Sequence, residues 1–250
     1  MLKKLYGKSK IWFAVAWIIS YCVLMSMGDS LSAAVGLEKS VTLAVGGLLS
    51  GALLLFLKKN RLLDVYGLCK SKVPAKKMLY YLPVLGMLTA NLWYGVTVNY
   101  SAVETALYIL SMFAVGILEE VIFRGLLFHA MRADSLKAAV IVSSVTFGMG
   151  HVINLVNGSG AELLPNLLQV VYATTAGFMF VMMYLKTGSL LGCIAAHGIF
   201  NALSVFANDA GVTPGLQVLT AAALTVITGC YGAYLVWTMK GSNYDQRADT

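Results

Sequence analysis

Charged residues are scarce in this chain. Only 12% of the 250 residues are Asp, Glu, Lys or Arg, whereas a soluble domain carries about 25%. Hydrophobic residues make up 59%, and the mean hydropathy is +0.78. This composition excludes an ordinary soluble domain and places the chain in the membrane class.

Cysteine motifs are lacking as well. The four cysteines, Cys22, Cys69, Cys193 and Cys230, show no CxxC spacing, and three of them lie in apolar stretches. We therefore expect unpaired thiols that act as small hydrophobic side chains.

Long apolar runs predict an all-α polytopic membrane protein with about eight transmembrane helices, because a spanning helix needs about 20 apolar residues. The predicted spans are 11–27, 40–57, 78–96, 105–130, 138–156, 165–185, 189–207 and 216–238. We expect the first helix to be retained rather than cleaved as a signal peptide, since its apolar run exceeds the usual h-region. The chain 1–250 is thus predicted to form a single transmembrane domain.

Lysine and arginine lie almost entirely on one side of this topology. With a cytoplasmic N-terminus, sixteen of the 18 basic residues are on the inner side, Lys39 is outside and Arg124 lies within a span. The asymmetry predicts that both termini lie in the cytoplasm. Eight spans with cytoplasmic termini imply a location in the plasma membrane. The asymmetry also explains the net charge of +7 through anionic lipid headgroups, without nucleic acid. The inner set is Lys3, Lys4, Lys8, Lys10, Lys58, Lys59, Arg61, Lys70, Lys72, Lys76, Lys77, Arg132, Lys137, Lys186, Lys240 and Arg247.

Ionisable residues nevertheless occur inside the apolar spans. Glu119 and Glu120 lie in the fourth predicted span, His151 in the fifth and His197 in the seventh. Such groups are costly in a bilayer and usually serve a function. Counted at about 1.5 Å per residue from the inner helix ends, Glu119, His151 and His197 fall at similar depth, which predicts one shared internal site.

Helical spacing suggests separate roles for the polar residues. Glu120 and Arg124 are four apart, which favours an ion pair on one helix face. Glu119 is rotated by about 100° and is left available as a general base. His197 and Asn201 are also four apart, so both can donate hydrogen bonds to one oxyanion. For His151 two roles stay open: holding a water against Glu119, or binding a metal.

Three motifs can be written from these residues. They are E-E-x-x-x-R from Glu119 to Arg124, F-x-x-x-H from Phe147 to His151, and H-x-x-x-N from His197 to Asn201. Their order and placement resemble the signature of the CPBP family, the CAAX proteases and bacteriocin-processing enzymes also called ABI proteins. The resemblance covers about residues 80–207.

The resemblance implies an intramembrane endopeptidase with a cavity open to the cytosolic leaflet. It implies that Glu119 and His151 activate a water and that His197 and Asn201 stabilise the oxyanion. The expected substrate is a membrane-associated peptide or protein. Glu120, Arg124 and Phe147 are expected to support the site, with Phe147 as a packing residue.

Several alternatives stay open. The zinc signature HExxH is absent, and a metal-free glutamic protease is favoured. A zinc-dependent version would bind its metal through Glu119, His151 and His197. An ion-coupled transporter could use the buried acids and histidines as a relay. A non-catalytic scaffold or immunity protein could keep the same residues without using them.

Overall fold

A computed structural model of the protein describes residues 2–74, 81–157 and 161–240, without the side chain of Lys240. Within these ranges the chain forms α-helices joined by turns, 3₁₀ segments and loops, and it contains no β-sheet. The predicted all-α class is confirmed. Among the basic residues assigned to the inner side, Lys76, Lys77 and Arg247 lie outside the described residues.

Ten α-helices are described within those ranges, and α5 continues directly into a π-helix. The helices are α1 Leu2–Lys8, α2 Lys10–Val35, α3 Ser40–Lys59, α4 Leu82–Leu88, α5 Ala102–Glu119, the π-helix Glu120–Leu127, α6 Phe128–Arg132, α7 Leu136–Gly150, α8 Leu163–Thr187, α9 Leu191–Leu203 and α10 Pro214–Lys240.

Local sequence explains where several helices begin and end. Ser9 caps α2 by accepting a hydrogen bond from the backbone of Trp12. Ser101 and Glu104 form a reciprocal capping box at the start of α5, which satisfies two otherwise unpaired donors. Gly188 ends α8 in the left-handed conformation that glycine adopts without strain.

Six segments in the described ranges are long and apolar enough to cross a membrane. They are Lys10–Val35, Ser40–Lys59, Ala102–Arg132, Leu136–Leu155, Leu163–Thr187 and Pro214–Met239. The chain is therefore a multi-pass membrane protein, and eight spans is an approximate count. The predicted seventh span is a shorter apolar helix, Leu191–Phe206, and the predicted third span is not one continuous helix.

The described part of that third span lies lengthwise along α10. Tyr81 packs its ring edge against Tyr231, whereas the Tyr94 hydroxyl is 3.1 Å from the Leu216 carbonyl oxygen. These two partners are 15 positions apart on α10, or about 22 Å at the usual helical rise. Residues 81–94 therefore cover much of a membrane thickness with only α4 and a 3₁₀ turn, Ala90–Leu92.

The turns between helices gather at two ends of the molecule. At the basic end, Tyr6 hydrogen bonds Tyr66, Tyr66 contacts His129, and the Lys72 amide donates to Thr187. At the opposite end, called here the Asp29 end, the Glu38 amide donates to Glu104. Residues 97 and 206 are joined there by a backbone hydrogen bond of 3.0 Å.

Glycines bring the helices of the centre unusually close. A Cβ on Gly116 of α5 would lie 3.0 Å from the backbone nitrogen of Gly198 in α9. A Cβ on Gly148 of α7 would overlap Thr174 Oγ1 and would lie 2.8 Å from the Val170 carbonyl oxygen in α8. Small residues thus set the spacing of the helices around the centre of the bundle.

We expect Gly148→Ala to lower the thermal stability of the purified protein. The added methyl group meets backbone atoms of α8, and overpacking of this kind costs about 1–3 kcal/mol. Gly150→Ala is the matched control, since among the described residues no atom beyond its chain neighbours and its own helix backbone lies within 4 Å of its Cβ position. Equal melting temperatures for the two variants would contradict the close contact between α7 and α8.

Candidate active site

The site is built around the π-helix that follows α5. All eight of its residues, Glu120–Leu127, are buried. A π-helical segment is wider than an α-helix and frequently marks a functional site. Here it lies where α2, α7 and α8 pack against the continuation of α5, so its polar side chains face other helices and not lipid.

Glu120 and Arg124 form the predicted ion pair. Arg124 Nη1 lies 2.9 Å from Glu120 Oε1, and both side chains are 0% exposed. The guanidinium carbon sits 3.9 Å from the ring centroid of Phe147, a cation–π contact. A Cβ on Gly177 would come within 3.1 Å of Arg124 Nη2, so α8 leaves just enough room for the guanidinium.

His197 joins the two carboxylates. Its Nδ1 lies 2.8 Å from Glu120 Oε1, and its Nε2 lies 3.4 Å from Glu119 Oε2. Phe180 stacks on the imidazole, and Phe147 meets it edge-on. Glu120 therefore holds the histidine as well as Arg124, a contact that the i, i+4 spacing could not reveal.

Glu119 is held by a residue from outside the three motifs. The Tyr21 hydroxyl, on α2, donates a hydrogen bond of 2.5 Å to Glu119 Oε1. The other oxygen, Oε2, is buried without a hydrogen-bond partner. One carboxylate oxygen is thus fixed, and the other is left for His197 or a bound reactant.

His151 stands at the end of α7, in the 3₁₀ turn His151–Leu155. Asn166 Nδ2 donates a hydrogen bond of 2.8 Å to the His151 carbonyl oxygen, which holds the turn against α8. The His151 ring meets the edge of Phe147 at a centroid distance of 5.7 Å. Phe147 therefore contacts Arg124, His151 and His197 together, consistent with its expected packing role.

Two cavities of different character border the site. The polar cavity lies between α2, α3, α5 and α7, and its polar lining residues are Tyr21, Cys22, Ser26, Asp29, Thr42, Glu119, His151, Asn154 and Asn157. The apolar cavity is lined mainly by Met87, Tyr172, Ala173, Ala176, Phe180, Phe200 and Leu224, together with Gln169, His151, His197, Asn201 and Thr228.

Phe147 and His151 line both cavities. Glu119 borders the polar cavity, whereas His197 and Asn201 border the apolar one. The structure thus brings the four candidate catalytic residues to a common wall, with the carboxylate on one side and the expected oxyanion donors on the other.

Glu119, His151 and His197, the ligands expected for a zinc-dependent version, are not arranged as a metal site. Glu119 and His197 are in contact, but no group of three or more His, Cys, Asp or Glu side chains in the described ranges is arranged to hold a metal ion.

Fold and site together define a class: a multi-pass membrane protein with buried acidic and histidine residues at the junction of two internal cavities. Residues 101–203 match the family of Rce1-like type II CAAX prenyl endopeptidases. This match includes all three motifs and confirms the resemblance to the CPBP family. No curated protein and no solved structure matches the chain.

Three residues that contact the site were missed by the sequence analysis. Tyr21 and Asn166 are polar residues within apolar spans, so their position was a signal that could have been followed. Phe180, in contrast, is an apolar residue in an apolar helix. Nothing in the sequence distinguishes it from an ordinary packing residue.

We expect Arg124→Met to destabilise the protein by about 3–5 kcal/mol, because it leaves the Glu120 carboxylate buried without its cation. The double variant Glu120→Gln/Arg124→Met removes both charges and should recover part of that loss. Unfolding of the purified protein by a denaturing detergent measures both. An Arg124→Met protein as stable as the wild type would contradict the claim that the stability of the fold depends on the Glu120–Arg124 ion pair.

Proposed function

We propose that the protein is an intramembrane endopeptidase that hydrolyses a peptide bond of a membrane-associated peptide or protein. Glu119 and His151 activate the water, and His197 and Asn201 stabilise the oxyanion. The observation that carries this proposal is the division of the site between two cavities that share His151 and Phe147. The polar cavity can supply water to Glu119, and the apolar cavity can hold a peptide against His197 and Asn201.

The reaction consumes one water for each bond. Glu119 accepts a proton from the water while the water oxygen bonds to the scissile carbonyl carbon, and the carbonyl oxygen becomes an oxyanion. His197 Nε2 and the Asn201 amide donate hydrogen bonds to that oxyanion. The C–N bond then breaks, and the proton passes from Glu119 to the leaving amine.

Contacts of His197 constrain its part in this scheme. Its Nδ1 lies 2.8 Å from Glu120 Oε1, so in its doubly protonated form the ring donates from Nδ1 to Glu120 and from Nε2 to the oxyanion. Arg124 Nη1 also donates a hydrogen bond to the same Glu120 oxygen. Glu120 and Arg124 are thus positioning residues that act through His197.

The apolar cavity suits a hydrophobic or lipid-modified substrate. Its wall is mostly aliphatic and aromatic, with polar groups placed next to the site, as in many ligand pockets. The matched family acts on CAAX prenyl proteins by its description. A substrate of this chain would enter from the membrane and lie against Phe180, Phe200 and Leu224.

We further propose that the basic end faces the cytoplasm. Lys58, Lys59, Arg61 and Lys72 gather there, whereas Lys39 lies at the Asp29 end. The positive-inside rule favours this orientation in a plasma membrane. The described regions nearest the two termini, α1 and the last turn of α10, also lie at the basic end.

Glu119→Gln should abolish cleavage of a pooled library of prenylated tails and transmembrane segments by the detergent-purified protein. Loss of a general base costs about 10²–10⁴ in rate. Glu104→Gln, on the same helix, is the matched control, since glutamine also satisfies the capping box. Melting temperatures of both variants should stay close to that of the wild type.

The same assay decides between the alternatives that the sequence left open. Cleavage that survives a strong chelator supports the metal-free version, and cleavage lost with the chelator and restored by zinc supports the zinc version. Cleavage by Glu119→Gln at the wild-type rate would contradict the proposal. Identical peptide patterns with and without the wild-type protein would favour a non-catalytic protein.

Tyr21→Phe should lower kcat by about tenfold, because a hydrogen bond to a charged group is worth about 1.5–3 kcal/mol. KM should change little, because this hydrogen bond orients Glu119 and does not contact the substrate. Tyr6→Phe is the control, since it removes the 2.8 Å hydrogen bond to Tyr66 at the basic end, away from the site. Unchanged kcat in Tyr21→Phe would show that the tyrosine does not act through Glu119.

A further inference from the structure

Hydrolysis inside a membrane requires a route for water. Glu119 is only 8% exposed and His197 5%, yet each turnover consumes one water, whose oxygen ends in the new carboxylate. If the proposed function holds, the apolar cavity is filled by substrate during that step. Water must then reach Glu119 from another direction.

The polar cavity begins at Glu119 and leads away from the basic end. Tyr21, Cys22, Ser26 and Asp29 line it from α2, and α2 begins at Lys10 and ends at Val35. The eight positions from Tyr21 to Asp29 correspond to about 12 Å along the helix. Tyr21, Ser26 and Asp29 supply hydroxyl and carboxylate groups along that distance, and Met25, Met112 and Val115 also line the cavity there.

Its far end opens beside a set of charged residues. The Asp29 side chain is 40% exposed, accepts a hydrogen bond of 2.6 Å from Thr42 and pairs with Lys39 at 2.7 Å. Burial lowers the pKa of Lys39, but the charge and hydrogen bond of Asp29, with smaller contributions from Tyr108 and Glu38, together hold this pKa above its ordinary value. The mouth of the cavity is therefore polar and charged at neutral pH.

The walls of the polar cavity also differ from those of the apolar one. Beyond the shared Phe147 and His151, the apolar cavity is closed mainly by aliphatic and aromatic side chains. The polar cavity has Ser26, Asn154 and Asn157 in its lining, and Asn157 Nδ2 donates a hydrogen bond of 3.3 Å to Ser26 Oγ. Ordered water needs such partners at each step.

We propose that the polar cavity is the entry path for the hydrolytic water, open at the Asp29 end, opposite the basic end. Water enters past Asp29 and Ser26 and is received by Glu119, which Tyr21 orients. Substrate and water then approach the scissile bond from different cavities. This inference rests on the proposed function for its chemistry, but the openness of the path is testable separately.

A native thiol lies on the path. Cys22 lines the polar cavity next to Tyr21, whereas Cys69 lies at the basic end, where its thiol donates to the Gly188 carbonyl oxygen. Two variants each retain one of these cysteines, and the other three cysteines are replaced by alanine. They show from which membrane face each thiol can be reached. A charged, membrane-impermeant methanethiosulfonate is applied to intact cells and to inverted vesicles, and modification is read by mass.

We expect Cys22 to be modified from the membrane face opposite to the one from which Cys69 is modified. Ser30→Cys in a background without other cysteines is the positive control for that face, since Ser30 is exposed one turn beyond Ser26. If Ser30→Cys is modified but Cys22 is not, or if Cys22 reacts only from the Cys69 face, the proposed path is overturned.

A second measurement narrows the path. Ser26→Leu should lower kcat several-fold while leaving KM nearly unchanged, because substrate does not pass this residue. Ser30→Leu, the same substitution one turn further on, should match the wild type. Wild-type kcat in Ser26→Leu, or a change confined to KM, would overturn the assignment of this cavity to water.

The two proposals fail separately. If the wild-type protein cleaves no peptide, the proposed function is wrong, and the modification of Cys22 still decides whether the cavity is open to water from the Asp29 end. If cleavage depends on Glu119 but Cys22 is inaccessible from that end, the protease remains and the water path is wrong.

Discussion

Glu120 and Arg124 face each other in a π-helical segment where neither side chain is exposed at all. A buried charge without a partner costs several kcal/mol, so each of the two residues requires the other. The same Glu120 oxygen also contacts His197 Nδ1, and Phe147 covers the guanidinium. The ion pair therefore fixes the imidazole, and through Phe147 it also sets the wall between the two cavities.

The membrane makes this arrangement stricter than it would be in a soluble enzyme. Irregular backbone is tolerated at membrane depth only where it is covered by protein or lines a cavity. The broken segment 81–96 and the short helix α9 meet this condition, since Met87, His197 and Asn201 all line the apolar cavity. The two spans that depart most from a regular transmembrane helix thus both border the expected substrate site, which α8 and α10 also line.

Much of this could be predicted from the sequence. Apolar runs locate the long helices because a charged side chain in contact with lipid is costly. The i, i+4 spacing predicted the Glu120–Arg124 pair, which the structure confirms. The predicted third span was wrong as a continuous helix, because hydropathy reports the average polarity of a window and not whether its backbone stays helical. The roles assigned to Glu119, His151, His197 and Asn201 stay predictions.

Contacts between distant segments were beyond the sequence. Tyr21 meets Glu119 across 98 positions, and Glu120 meets His197 across 77. Such pairs depend on how the helices pack, and here that packing is set by close approaches such as Gly116 to Gly198. The π-helix was likewise not predicted, since no residue in Glu120–Leu127 signals it by type alone.

Binding of a tetrahedral analogue tests the central claim most directly. A peptide in which a phosphinate replaces the scissile bond mimics the oxyanion, whereas the parent peptide with that bond intact does not. Both affinities would be measured with the Glu119→Gln protein, in which turnover is prevented, and again with the double variant Glu119→Gln/Asn201→Ala. We predict that Asn201→Ala weakens phosphinate binding by about 10²–10³, as for loss of one oxyanion donor, and leaves the affinity for the peptide nearly unchanged. Equal losses for both ligands, or none for either, would contradict an oxyanion site at His197 and Asn201.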